Sequence, residues 1–217
     1  MTEAHRSRAT WLVTAAAVLA VGALAFGIGR FTAFGASAAP QHPATDSADA
    51  GFARDMQVHH AQAVEMAMEI YAKTSDDELR ALSYDIATAQ SAQRGEMYGW
   101  LVTWGLPQAG GPLMGWMGSG SSHEHGEDAA SEADLRAQMG MATDAELAEL
   151  RADTGTAADC LFLALMVRHH EGAIPMAEAV IDEGSDARVR AVATSMVQTQ
   201  SAEIDAMTGM QQRLACG

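Results

Sequence analysis

The sequence predicts an all-α protein, a four-helix bundle built from two copies of one helical hairpin with a long crossover between them. Three observations predict it. The segment FARDMQVHHAQAVEMA from Phe52 recurs as FLALMVRHHEGAIPMA from Phe162, so the chain writes Phe-x3-Met-x2-His-His-x5-Met-Ala twice. An ungapped offset of 110 residues also aligns Arg80-Ala81 with Arg190-Ala191, Gln90-Ser91-Ala92 with Gln200-Ser201-Ala202, and Met97 with Met207. Each copy holds two apolar patterns of helical period separated by a short polar break, the mark of a duplicated helical hairpin.

Residues 1–39 stand apart. Arg6 and Arg8 precede an uncharged run from Ala9 to Gly29, then come Arg30 and the small residues Ala36-Ser37-Ala38-Ala39, the pattern of an export signal. The run is also long enough to span a bilayer, so a signal-anchor holding residues 11–29 in the membrane is the alternative to cleavage. Residues 40–47 read as a mobile spacer, and the bundle domain as 48–217, with hairpins over 48–104 and 157–217 and the crossover over 105–156.

Helices are expected near 48–73, 76–104, 158–183 and 186–213. The first break, Thr74-Ser75-Asp76-Asp77-Glu78, reads as a capping box of Ser75 and Glu78; in the second, Gly184 ends one helix and Ser185 caps the next. Pro175 removes a backbone donor within the third helix, and a kink beside His170 is expected. The crossover opens Gly105-Leu-Pro-Gln-Ala-Gly-Gly-Pro and continues as GWMGSGSSHEHGEDAA, which is loop. Ser131-Glu-Ala-Asp134 and Thr143-Asp-Ala-Glu146 then resemble helix starts, giving short helices near 131–138 and 143–152.

The chain carries 28 acidic against 13 basic residues, a net charge of −15. That excludes nucleic acid as a partner, because phosphates are gripped by basic stripes. The only two cysteines, Cys160 and Cys216, lie in the exported part, where an even pair is expected to form a disulfide, with copper ligation by the two thiolates as the alternative. Cys160 opens the third helix and Cys216 follows the fourth, ends that antiparallel packing brings together.

On the helical wheel, Met56, His59, His60 and Met66 share the apolar face of the first helix with Phe52, Ala63, Ala67 and Ile70. Met166, His169, His170 and Met176 repeat the arrangement on the third. A lone inward histidine is usually a satisfied core residue, and methionine at helical spacing is usually packing, the reading preferred for Met68 and Met196. Four buried imidazoles, however, cost stability unless each finds a partner, and the duplication keeps the pattern twice. Imidazole with thioether suits copper, above all Cu(I), with Cu(II) and zinc as alternatives. Gln90, Gln93, Gln200 and Glu203, on the partner helices, are placed to accept the second ring N–H of a ligating histidine. In the crossover, Met139 and Met141 form a candidate thioether site, and His123 and His125 a candidate loop site for Cu(II) or Zn(II).

These residues resemble the domain of unknown function 305 (DUF 305) family, through MQVHHAQAVEMA, QMGMATDAELAEL, DCLFLALMVRHHEGAIPMA and QTQSAEIDAM. The resemblance covers nearly the whole chain from Phe52. It implies an exported, ferritin-like four-helix bundle, with some members linked to copper binding and copper tolerance. His59, His60, Met56, Met66, His169, His170, Met166, Met176 and Met141 match the family pattern. The first copy departs from the family-like QSAE by placing Gln93 where the second has Glu203.

The expected function is therefore extracytoplasmic copper binding, buffering or chaperoning, with the protein secreted or anchored to the outer face of the membrane and other copper-handling proteins as partners. No nucleophile-base set or haem motif is visible, so the protein is expected not to be an enzyme. The alternatives are a copper-dependent redox enzyme and a metal-free interaction module whose histidines sense pH.

Overall fold

The computed structural model describes residues 21–24, 26, 42–117 and 130–216. It divides into two units, residues 1–41 and 42–217. In the first, residues 21–24 and 26 are helical, with Val21, Leu24 and Phe26 exposed. No helix among the described residues is long and apolar enough to cross a membrane. The span expected over 11–29 lies mostly outside the described residues, as do His123 and His125.

The second unit is a helical bundle of four long helices, α1 Ala48–Lys73, α2 Asp77–Trp104, α5 Gly155–Glu183 and α6 Ala187–Leu214, with α3 Glu132–Gln138 and α4 Asp144–Ala152 in the crossover. The local chemistry explains the boundaries. The Oγ of Ser47 accepts the Ala50 N–H at the start of α1. Capping boxes open α3, from Ser131 and Asp134, and α4, from Thr143 and Glu146. Gly105, at φ 69°, ends α2 in the left-handed conformation that glycine adopts without strain. Helix α5 runs unbroken through Pro175.

The caps between hairpin arms differ from the sequence expectation in the same way twice. Asp76, not Ser75, caps α2 by accepting the Leu79 N–H at 2.9 Å, and Asp186, not Ser185, caps α6 by accepting from Arg188 and Val189. A carboxylate gains more than a hydroxyl from the positive end of a helix. Ser185 is drawn elsewhere: its N–H and Oγ both donate to Asp49 Oδ2 at 2.9 Å, and the Asp186 N–H donates to Oδ1 at 3.1 Å.

Asp49 stands in the first turn of α1, so these bonds bring the start of α1 to the turn after α5. At the other end of the bundle the disulfide Cys160–Cys216 closes the second hairpin, as its layout permits. The helices α1 and α5 are thus antiparallel at the centre, each backed by its own hairpin partner. The core falls into two clusters. One joins the carboxyl half of α1 to the amino half of α5 through Ala63, Met66, Ile70, Phe162 and Met166. The other joins the opposite halves through Phe52, Met56, Met176 and Val180. Met196 is buried in the second cluster, whereas Met68 is half-exposed rather than packing material.

The crossover is more tightly held than its composition suggests. Arg54 donates from Nε to Pro107 O and from its terminal nitrogens to Thr45, which binds part of the expected spacer. Asp55 accepts from the Met114 N–H and Trp116 Nε1, and Gly51 lets the Trp116 ring lie where a Cβ would be 2.2 Å from its Cγ. Further along, Lys73 Nζ donates to the carbonyls of Leu150, Arg151 and Asp153, the open end of α4.

Candidate metal centre

Between the two core clusters lies a layer of buried polar side chains. His59, His60, His169 and His170 are all fully buried, in the middle of α1 and α5. The antiparallel crossing sets His59 against His169, ring centroids 3.6 Å apart and planes 30° apart. His60 and His170 lie outside this pair, 6.3 and 6.2 Å from their sequence neighbours.

Each ring meets an oxygen acceptor at Nε2. His59 donates to the Met139 carbonyl at 2.8 Å, His60 to Gln93 Oε1 at 2.7 Å, His169 to the His59 carbonyl at 3.1 Å, and His170 to Glu203 Oε2 at 2.7 Å. An acceptor oxygen fixes the proton on Nε2, because only a ring N–H can bond to it. The four Nδ1 atoms are buried without hydrogen-bond partners. Burial lowers the pKa of His59 to about 4 and of His60 to about 3, and it pushes His169 well below the ordinary imidazole range. A neutral ring protonated at Nε2 offers a lone pair at Nδ1.

Such atoms are costly unless something binds them, and a metal ion suits them: imidazole nitrogen is a ligand only when deprotonated, with its other N–H held by an acceptor. The residues present fit copper in donor type. Met56, Met66, Met166 and Met176 are fully buried, Met66 and Met166 in the cluster on one side of the layer and Met56 and Met176 in the other. Met139 and Met141 are buried in the latter cluster too. Among the described residues, no three His, Cys, Asp or Glu side chains converge as a cage of their own.

Of the four expected supporting residues, Gln93 and Glu203 accept hydrogen bonds from His60 and His170. Gln90 and Gln200 do not hold a ring. Both are buried, and Gln90 Nε2 and Oε1 and Gln200 Oε1 have no partners. They lie one turn before Gln93 and Glu203, too far along α2 and α6 to face the same imidazoles.

The sequence reading misses the carbonyls. Met139, expected as a thioether, reaches His59 through its backbone. The segment 139–142 crosses both central helices: Gln62 exchanges two hydrogen bonds with Ala142, at 2.9 and 2.7 Å, and on the other side Met139 presses on Gly172. A Cβ at Gly172 would lie 2.1 Å from Met139 O, and one at Gly140, φ 69°, 2.1 Å from Arg168 O. The two glycines were the available signal, since only they admit backbone so close to a helix.

A family model for a domain of unknown function, DUF305, matches residues 49–211. The chain belongs to the DUF305 family. Among solved DUF305 structures, one from Streptomyces coelicolor, described as secreted, is 41% identical over 79% of this chain and 96% of its own, with a TM-score of 0.69. A DUF305 fragment from Deinococcus radiodurans is 31% identical over 76% of this chain and 96% of its own, with a TM-score of 0.62. The protein CopM, solved in a Cu(I)-bound form, shares the fold at 23% identity, over 76% of this chain and 96% of its own, with a TM-score of 0.57. No curated protein matches the chain.

Proposed function

We propose that this DUF305 protein is a non-catalytic copper-binding protein that buffers or carries Cu(I) outside the cytoplasmic membrane. The observation that carries the reading is the set of four buried, unpartnered Nδ1 atoms in one layer, each on a ring whose other nitrogen donates to an oxygen. Methionine sulfur on both sides of the layer adds soft donors, and the pair of donor types favours Cu(I) while leaving Cu(II) accessible through the histidines. CopM, a structural neighbour, has been solved with Cu(I), Cu(II) and silver. The export-signal pattern, the disulfide and the S. coelicolor relative support an extracytoplasmic location.

The pH-sensing alternative is disfavoured by the same burial, which moves protonation of His59 and His60 to about 4 and about 3, below the physiological window. The test is an anaerobic Cu(I) titration of the full chain against a chromophoric chelator, repeated with Cu(II) and Zn(II). Replacing His59, His60, His169 and His170 together by alanine should abolish tight Cu(I) binding. A folded variant that binds as the wild type does would sink the reading, and so would a wild type that leaves the chelator loaded.

A further inference from the structure

The duplication is not symmetric at the layer, and the difference is one of charge. Position 93 is Gln in the first hairpin, whereas its counterpart 203 is Glu in the second; position 94 is Arg, whereas its counterpart 204 is Ile. Both members of the first pair bond equivalent atoms at equal distance, Gln93 to His60 and Glu203 to His170, each at 2.7 Å. The scaffolds match and the charges do not. Glu203 is the acidic side chain hydrogen-bonded to the rings, and it is mostly buried, with 15% of its side chain exposed. Arg94 sets a guanidinium against the other half, where it acts on His60 as a positive neighbour and where its own Nε is buried without a partner. Ile204 brings no charge and packs on the core.

A cation entering this layer leaves water, and a buried charge is stable only beside a compensating one. Beside His170 a carboxylate supplies that charge through the ring, and a carboxylate accepting the imidazole N–H also makes the opposite nitrogen a stronger donor. Beside His60 the acceptor is a neutral amide, and the Arg94 charge opposes a cation there.

We infer that the layer has one preferred cation position, at His170 Nδ1, with Glu203 as its counter-charge, and that a monovalent soft cation fills it before any second ion binds near His60. The inference rests on the metal-binding reading above and adds order and stoichiometry to it. One negative charge balances one monovalent ion. Glu203 acts as a positioning and charge-balancing residue, and Arg94 with Gln93 keeps the mirror position weak.

Silver(I) is the probe, because it has the charge and ligand preference of Cu(I) and no second oxidation state to confuse the count. Long-range proton–nitrogen NMR of the histidine rings in the full chain, with silver added below one equivalent, should shift His170 Nδ1 first and leave His60 for excess silver. Glu203→Gln, which keeps shape and hydrogen bond, should weaken the first equivalent at least tenfold while the metal-free unfolding midpoint stays near that of the wild type. The double change Gln93→Glu with Arg94→Ile, which writes the second copy's residues into the first, should add a second tight equivalent. Two equal equivalents in the wild type, simultaneous shifts of both rings, or an unchanged Glu203→Gln affinity would overturn the inference while leaving copper binding intact. If silver shifts no ring nitrogen at all, the metal-binding reading falls, and this inference with it.

Discussion

The imidazoles of His59 and His169, one from each half of the duplication, have their centroids 3.6 Å apart and their planes tilted by 30°. Two rings at this distance in a buried layer cannot both take a second proton without strong repulsion, and each is already disfavoured as a cation by burial. The consequence is a stability that depends on pH. In the unfolded chain these rings titrate near 6.5, but the folded values of His59 and His60 are about 4 and about 3. Between those limits the unfolded state binds more protons, so stability rises with pH there and is lost as pH falls below about 6.5. Metal-free protein should lose urea resistance from pH 7 to pH 5, with a proton slope above one. Changing His59, His60 and His169 to glutamine should flatten that limb.

A second limb lies lower and has the ordinary carboxylate sign. Glu146 closes the α4 capping box and accepts two bonds at 2.8 Å from Arg168, which lowers its pKa from 4.5 to about 2. Its contribution is present above pH 4.5 and disappears as pH falls towards 2. Glu146→Gln, whose amide oxygen can still close the capping box, should cost about 0.5–1 kcal/mol near neutrality, mostly as the lost ion pair with Arg168 on a part-exposed surface. Equilibrium unfolding at pH 7 and pH 3 checks both parts: the difference between the proteins should shrink at the lower pH.

Two glycines in long helices should respond oppositely to alanine. At Gly172 the new methyl would meet the Met139 carbonyl at 2.1 Å, so the 139–142 segment must move and the His59 hydrogen bond must lengthen. Gly172→Ala should cost about 1–3 kcal/mol and weaken Cu(I) binding. At Gly95, on α2, nothing lies within 4 Å of an added methyl, and Gly95→Ala should add about 0.5–1 kcal/mol. Urea denaturation and Cu(I) competition measure both.

Removing the disulfide should reveal a division of labour between ends of the bundle. Cys160 and Cys216 are 56 residues apart in sequence, and their bond should add about 2–4 kcal/mol. Its place is far along α5 from the histidines, so replacing both cysteines by alanine, which leaves no thiol to compete for Cu(I), should lower the unfolding midpoint and leave the affinity unchanged. Reduction alone should instead raise Cu(I) affinity, because it frees two thiols that are soft ligands themselves.

Most of the helical frame can be read from the chain because its determinants are local: capping residues, polar breaks and a 3.6-residue period. The cap at the start of α6 falls to Asp186 rather than Ser185 because Ser185 is taken by Asp49, a contact between residues 136 apart. The wheel places all four histidines inward, which requires only the period. It cannot tell Gln93 from Gln90, because one turn of helix decides which amide faces a ring and that depends on how α1 meets α2. The carbonyls of Met139 and His59 are invisible for another reason, since every residue has one.

The strap formed by residues 139–142 lies across α1 and α5 differently, gripping one through a side chain and the other through a bare backbone. Two identical hairpins assembling as separate chains could not be treated so unequally, because any change in one would appear in the other. Joining them in a single polypeptide lifts that constraint. The crossover is therefore more than a tether: it frees each half to mutate alone, and the unmatched neighbours of its histidines are what that freedom produced.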